Sequence, residues 1–489
     1  MASETPDAFE PILVKGRIAE RHREVRFLPS PGRVKRYVLT SAQNNTHVHE
    51  AVWLNVVAMA RHYDAELMVG SFSYDKGAYG RKSVKRNTAS VADKDALWYD
   101  PLVVVHLVDE PVVLAPGLTW CGEMNILPTS TNPLGDLESY NGRSSNIIPH
   151  AKFAMSSVAG LGEEATKFNY STGTVTQRNY IQKKAGLKAE RFHGYGALLV
   201  EVLPDGDWFV RQLQATEAGT IRDLDLKADK GAVTAGNPIA ALTPGDVHVR
   251  VLDPIVKELI WGEGGMVDVL RPRVQLLHDV IDFRSRNHHE IKDPLAAYHK
   301  WRDGEDGVDD EVAEVAEFLR FASRPWLDSV VVPSNHHEAM LRWLKEADWQ
   351  KDPKNAVFYH KAWTALLSGV ADVFEWAVEQ HCDPASLGVR FLADDSTLVI
   401  AGTEVAQHGH RGLNGARGNH RSSVKLGRPT TQGHEHAAGI YLASWVSGTC
   451  TIFRVGYNKG ASSWSQSLVI QYPEGTRSMV TLWKGRWRA

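Results

Sequence analysis

Five short runs of metal-ligating residue types follow one another through the second half of the 489-residue chain. In order they are Asp246-Val247-His248, His278-Asp279-Val280-Ile281-Asp282, Asn335-His336-His337-Glu338, His408-Gly409 and Gly433-His434-Glu435-His436. Any one of them recurs by chance in unrelated chains. Together they supply what a pair of divalent ions needs: carboxylate and amide oxygens, imidazole nitrogens, and a carboxylate able to bridge two ions. No thiolate is among them, which argues against a closed structural zinc site. Ions held this way clamp phosphate oxygens for in-line attack, so the chemistry indicated is phosphoester hydrolysis.

The ordered set D-x-H, D-x-x-D, N-H-[DE], H-G and G-H-x-H resembles the calcineurin-like metallophosphoesterases, over about residues 236–441. The resemblance implies a β-sandwich flanked by helices and a cofactor of two divalent metal ions, Mn2+ first, with Mg2+, Zn2+ or Fe2+ as alternatives. It implies that Asp279 bridges the ions, that Asp246, His248 and His436 complete one site, and that Asn335, His408 and His434 complete the other. It gives His336 the catalytic role of protonating the leaving oxygen or stabilising charge on phosphate. Two departures stand out. His278 replaces the glycine that usually precedes the bridging aspartate. Glu338 is separated from His336 by His337, which leaves open which histidine faces the substrate; His336 is preferred because it follows Asn335 directly. The stretches LTSAQNNTHVHEAVW, YSTGTVTQRNYIQKKAGLKAERFHGYGALLVEV and QHGHRGLNGARG resemble phage-encoded proteins of this class, including a pre-early DNase. That narrower resemblance reaches from Tyr37 onward. It implies a manganese-dependent DNase related to DNA-repair exonucleases, acting on DNA and forming a homo-oligomer.

Between His408 and His434 lie Arg411, Arg417, Arg421, Lys425 and Arg428, with no Asp or Glu between them. Both flanking motifs carry candidate ligands, so this loop must emerge near the site. Arg411, Asn414, Arg417 and Arg421 are the candidates for gripping a phosphodiester backbone; the alternative is a solvated basic loop. Asp282, His288 and His289 follow the bridging aspartate and are candidates for hydrogen-bonding the ligands from behind. Gln43–Thr46 either line a crevice or cap the next helix. Arg81, Lys82, Lys85 and Arg86 either bind DNA backbone or, as is usual for such a run, form a solvated loop.

Each motif follows a β-rich run, which puts it on a loop at a strand's C-terminal end; in an open α/β sheet such loops converge on one crevice. Strands are expected at 36–41, 66–72, 102–107 and 111–114, a helix at 49–63, an exposed loop at 77–91, and antiparallel strands through 170–214 turning at Pro204-Asp205-Gly206. Further on, 303–310 is an acidic loop or helix entry, 312–321 and 339–347 read as helices, and 440 onward as β structure. No internal repeat is evident. The expected fold class is α/β (α+β). Its expected organisation is an arm (1–35), an N-terminal α/β domain with an antiparallel segment (36–235), a metallophosphoesterase core (236–445) and a β-rich extension (446–489). The N-terminal domain is expected to supply oligomer contacts or substrate access.

Composition is that of a globular protein, 43% hydrophobic and 23% charged, with net charge −3. Attraction to nucleic acid must therefore be local. Three widely spaced cysteines fit a reducing compartment. The sequence MASETPDAFEP does not read as a signal peptide, and the apolar run near 51–60 is too short to span a bilayer. The expectation is a cytoplasmic protein with no membrane partner. The leading function is a metal-dependent nuclease. The alternatives are a phosphomonoesterase acting on a nucleotide or phosphoprotein, and a non-catalytic metal- and DNA-binding scaffold.

Overall fold

The computed structural model describes residues 12–14, 17–19, 32–74, 98–162, 164–287, 290, 293–456 and 458–489. Most of the expected arm, the 77–91 loop with Arg81, Lys82, Lys85 and Arg86, and His288 and His289 lie outside the described residues. The first half contains a hairpin of β1 (Ile12–Val14) and β2 (Arg17–Ala19), then β3 (Lys35–Gln43), α1 (Glu50–His62), β4 (Glu66–Phe72), α2 (Pro101–Val104), β5 (Pro111–Ala115), β6 (Leu118–Cys121), β7 (Ser145–Ile148), β8 (His150–Val158), β9 (Lys167–Gly173), α3 (Lys184–Arg191), β10 (Gly196–Val202), β11 (Trp208–Gln214), β12 (Ile221–Asp223), β13 (Leu226–Asp229) and β14 (Ala232–Thr234). The second contains β15 (Ala241–Thr243), α4 (Pro254–Trp261), α5 (Met266–Leu270), β16 (Val274–Leu277), α6 (Pro294–Asp303), α7 (Val308–Ala322), β17 (Asp328–Val331), α8 (Asn335–Glu346), α9 (Ala356–Leu367), α10 (Val373–Glu379), β18 (Val389–Phe391), β19 (Val399–Ile400), β20 (Thr403–Glu404), α11 (His420–Ser423), β21 (Thr430–Gln432), β22 (Gly439–Tyr441), β23 (Ser444–Val446), β24 (Ser467–Gln471) and β25 (Arg477–Thr481). This is a mixed α/β protein.

One expected strand is a helix. At 102–107, Asp100 caps α2 by accepting from the Leu102 N–H, and Pro101 opens the first turn, where its missing N–H costs nothing. Only Leu107 reaches the sheet, in an isolated bridge to Val69. α8 also starts earlier than its apolar periodicity suggests. Ser334 accepts from the His337 N–H and so nucleates the helix at Asn335.

Period-two alternation sorts the strand residues between layers. In the six-stranded sheet β18-β17-β16-β15-β24-β25, Leu242, Leu277 and Val331 join the core shared with α4, α5, α7, α8, α9 and α10. Their neighbours Ala241, Leu276 and Val330 face the other way and pack against Val405, Leu398 and Ile400 of the opposing sheet. The four-stranded sheet β11-β10-β3-β4 does the same. Val38, Leu199 and Leu213 pack under Val52, Val56 and Met59 of α1, while Leu39, Leu198 and Val200 face Trp120, Ile147 and Tyr170. The opposing layer is a single ten-stranded sheet, β19-β20-β21-β23-β22-β8-β9-β7-β6-β5.

Contrary to the sequence expectation, the chain contains an internal repeat. Order β11-β10-β3-β4 matches β25-β24-β15-β16, with β3∥β4 and β15∥β16 parallel and both hairpins antiparallel. Order β5-β6-β7-β9-β8 matches β19-β20-β21-β23-β22, with the same pairing senses. The copies meet tail to tail where β8 pairs antiparallel with β22 through Met155 and Ile440. In the other layer the β25 edge meets β11, whose Gln212 and Gln214 side chains accept from the Met479 and Arg477 N–H groups at 2.7 and 2.9 Å. Loop hydrogen bonds repeat as well. Thr174 Oγ1 donates to the Ser41 carbonyl as Thr449 Oγ1 does to that of Asp246, at 2.7 and 3.2 Å. The His49 N–H donates to the Val175 carbonyl as that of Asp253 does to Cys450, just before α1 and α4 respectively. Among the described residues no helix is long and apolar enough to cross a membrane.

Candidate metal centre

Asp246 lies beyond β15, Asp279 beyond β16, Asn335 beyond β17, His408 beyond β20, and His434 and His436 beyond β21. All are at C-terminal strand ends, from two facing sheets. Backbone in the left-handed region marks four of the site residues: His248 (φ 43°), Asp279 (45°), His434 (78°) and His436 (54°). For residues with a Cβ this costs of order 1–3 kcal/mol each and persists only where surrounding bonds over-determine it. Such bonds are present. The His248 N–H donates to the Asp279 carbonyl at 2.7 Å, Ser465 N–H donates to the His436 carbonyl at 3.0 Å, and the His434 N–H donates to Asp246 Oδ2 at 2.7 Å.

Ligand atoms of Asp246, His248, Asp279 and His436 lie within 4.8 Å of one another, and so do those of Asp246, His278 and His408. Asp279 Oδ2 sits between His248 Nε2 at 3.5 Å and His408 Nε2 at 3.1 Å, a position from which one carboxylate can touch both groups. Asp246 Oδ2 is 3.1 Å from His436 Nε2. Asp246 and Asp279 are buried and Asn335 half-buried, yet Asp246 Oδ1, Asp279 Oδ1 and Asn335 Oδ1 have no hydrogen-bond partner. Bare buried carboxylate and amide oxygens are costly. This convergent set of oxygen and imidazole donors fits divalent cations, and Asp246, His248, Asp279, Asn335, His408 and His436 would hold them. Asn335 opens α8, and His434 meets the His408 ring edge-on with centroids 5.1 Å apart.

The protonation balance follows from the crowding. Burial would raise the Asp246 carboxyl, but the His408 charge and the His436 hydrogen bond outweigh it and hold it at about 2. Burial would lower His248, but Asp282 and Asp279 lift it to about 9. Burial and the neighbouring His408 push His278 down to about 4.

Asp282 stands behind the site, its Oδ1 3.1 Å from His248 Nδ1. The two candidate histidines of α8 diverge. His336 is partly exposed at the mouth, its Nδ1 donating to the Asp282 carbonyl at 2.8 Å. His337 turns inward and stacks on Phe374 at 4.4 Å, and burial pushes it down to about 3. Glu338 accepts from His410 at 2.9 Å and from Arg411 at 2.5 Å, tying α8 to the basic loop. Arg411 also pairs with Asp394 at 2.7 Å, so two carboxylates already meet its charge. Asn414 sits at φ 57° in a 3-10 turn. Arg417 is exposed, and Arg421 is exposed over the Tyr441 ring. A cavity of about 490 Å³ opens beside His408, bounded by Pro333, Asp394, Asp395, His410, Arg411 and Asn414.

Sequence reasoning missed three contributors. His278 Nδ1 lies 3.3 Å from His408 Nδ1, where it can accept that ring's N–H and fix the tautomer that leaves Nε2 free; its unusual place before Asp279 was the available signal. Glu435 holds His420 at 2.7 Å. Trp464 meets His436 edge-on with centroids 4.3 Å apart, from a Ser- and Gly-rich stretch with no recognisable pattern.

Among the described residues the first repeat has no such set. Ser41 occupies the point matched by Asp246. Pro149, the first residue after β7 as Gly433 is after β21, lies against Gly70 and Trp120 so closely that a Cβ on Gly70 would fall 2.2 Å from Pro149 Cγ.

No protein-family model matches the chain. Among curated proteins it is 34% identical over 473 residues to Protein A1 of Escherichia phage T5, an alignment covering 93% of this chain and 83% of that protein.

Proposed function

Because the chain belongs to the family of Protein A1 of phage T5, we propose that it is a phage-encoded, divalent-metal phosphoesterase of the calcineurin-like class, acting as a nuclease on DNA. The observation that carries this reading is the cluster of oxygen and imidazole ligands around Asp246 and Asp279, with buried carboxylate oxygens left unpartnered. Bound there, a pair of divalent ions, Mn2+ first, supplies Lewis acidity towards phosphoryl oxygens and lowers the pKa of water. Asp279 spans the two groups, His278 and Asp282 orient His408 and His248, and His336 stands at the mouth with its Nδ1 proton committed to the Asp282 carbonyl. In the imidazolium form, which carries a second proton on Nε2, His336 can deliver that proton to, or share charge with, the leaving oxygen. Arg417 and Arg421, exposed on the loop between His408 and His434, support a phosphodiester substrate.

A phosphomonoesterase acting on a nucleotide is the second reading, favoured by the cavity of about 490 Å³ beside His408, a size within the range of small-molecule sites. The test uses linear and closed-circular double-stranded DNA with Mn2+, Mg2+ or EDTA, beside Asn335→Ala and His336→Ala. Metal-dependent degradation lost in both variants supports the nuclease. DNA intact in every metal while a phosphomonoester is hydrolysed supports the second reading. No hydrolysis of either leaves a binding scaffold.

A further inference from the structure

A second cavity, about 510 Å³, lies at the junction of the two repeats. Phe168, Tyr170 and Trp208 line it from the first repeat; Phe453, Trp464 and Trp483 line it from the second. Its volume is in the range of about 300–1,000 Å³ typical of small-molecule sites. The junction is tied down: Gly160 and Ser462 exchange backbone hydrogen bonds at 3.0 and 2.9 Å, and Thr166 Oγ1 donates to the Trp464 carbonyl at 2.7 Å. The charged groups of the wall are occupied. Asp205 and Asp207 pair with Arg486 and Lys484, and Arg143 and Arg454 donate to backbone carbonyls. What remains is an interior walled by aromatic rings together with neutral Ser, Thr and Gln side chains. It adjoins the metal centre through one side chain, because the Trp464 that lines it also meets His436.

We infer that this cavity binds a nucleobase of the substrate strand, seating one base between aromatic walls contributed by both repeats while the neighbouring phosphodiester faces the metal centre. Aromatic faces bind any base without reading its hydrogen-bonding edge. The site rests on the phosphodiesterase reading for what lies next to it. The first repeat, which among the described residues has no ligand set of its own, thereby contributes to function by supplying half of the base-binding wall.

The test measures binding of single-stranded oligothymidylate and of an abasic oligonucleotide of equal length and charge, in EDTA so that nothing is cleaved. Wild type is expected to prefer the base-bearing strand by about tenfold or more, the scale of one base stacked on an aromatic ring. Trp208→Ala is expected to erase the preference and Trp208→Phe to keep it, with melting temperature checking the fold of each. Equal binding of both strands by wild type overturns the inference, as does a preference that survives Trp208→Ala in a folded protein. The DNA-degradation assay is read separately. A protein that degrades DNA yet shows no base preference fails this inference alone, and one that prefers bases but degrades nothing fails the enzymatic reading.

Discussion

A methyl group placed on Gly433 would land in the carboxylate of Asp246. An ideal Cβ there falls 2.1 Å from Asp246 Oδ1 and 3.1 Å from His278 Cβ and Cγ. The closest comfortable carbon–oxygen approach is about 3.3 Å, so the carboxylate must retreat by about 1 Å. Asp246 has little freedom to do so, because its Oδ2 is held by the His434 N–H at 2.7 Å and lies 3.1 Å from His436. Gly433→Ala is therefore expected to cost about 1–3 kcal/mol of stability, as overpacking does. A 1 Å misplacement of a catalytic group is worth about 10²-fold in rate, so phosphodiester hydrolysis should fall by about that factor. Mn2+ binding by calorimetry should weaken in parallel while circular dichroism stays native. Gly439→Ala serves as the control, since nothing lies nearer than 3.5 Å to its new methyl group. Wild-type Mn2+ affinity and rate in Gly433→Ala would refute the placement of Asp246 in the working site.

Three other perturbations test separate parts of the structure. His337→Leu should retain activity and leave stability unchanged or raised by about 1 kcal/mol, because it removes a buried imidazole whose Nε2 has no partner; a large loss of rate would give His337 the role assigned to His336. Gln212→Ala should lower stability by about 1–3 kcal/mol in chemical denaturation, because the Met479 N–H at the β25 edge loses its acceptor; an unchanged midpoint would mean the sheets are held together elsewhere. His150 and His193 are both pushed down to about 3, chiefly by burial. Their unfolded forms take up protons near pH 6.5 while the folded forms do not, so stability should be fully present above that pH and decline as pH falls from about 6.5 towards 3. His193→Phe should flatten that decline, and an identical slope in wild type and variant would contradict the burial argument.

Most of the positioning logic was legible in the sequence. Apolar runs such as VQLL and SVVVP predict strands because alternate residues serve opposite faces. The motifs after them fall at strand ends because strands stop where polar donors begin. The α2 segment misled because 102–107 is as apolar as a strand; what decides it is the Asp100-Pro101 start, a local hydrogen bond stronger than the pattern. The repeat was hidden for a physical reason too. Strand pairing is made by backbone groups, which any side chains permit, so little beyond YSTGTVT and WVSGTCT survives as similar letters. In those two stretches the threonine hydroxyls themselves bond the neighbouring loop. Arg411 read as a free cation because its carboxylate partners, Glu338 and Asp394, are distant in sequence.

Joining both copies in one polypeptide changes what their contact must achieve. The β8–β22 pairing and the glutamine-capped seam at β25 and β11 form within a single molecule, where tethering gives an effective concentration of about millimolar. The connection is itself anchored: Arg211 bonds Asp223 at 2.8 Å and Arg222 bonds Glu474 at 2.8 Å, fastening β12 to both copies. The seam can thus stay closed with a contact too weak to hold two separate chains together. A single proteolytic cut between β14 and β15 would turn that internal contact into a bimolecular one, dependent on protein concentration and open to exchange between neighbouring molecules.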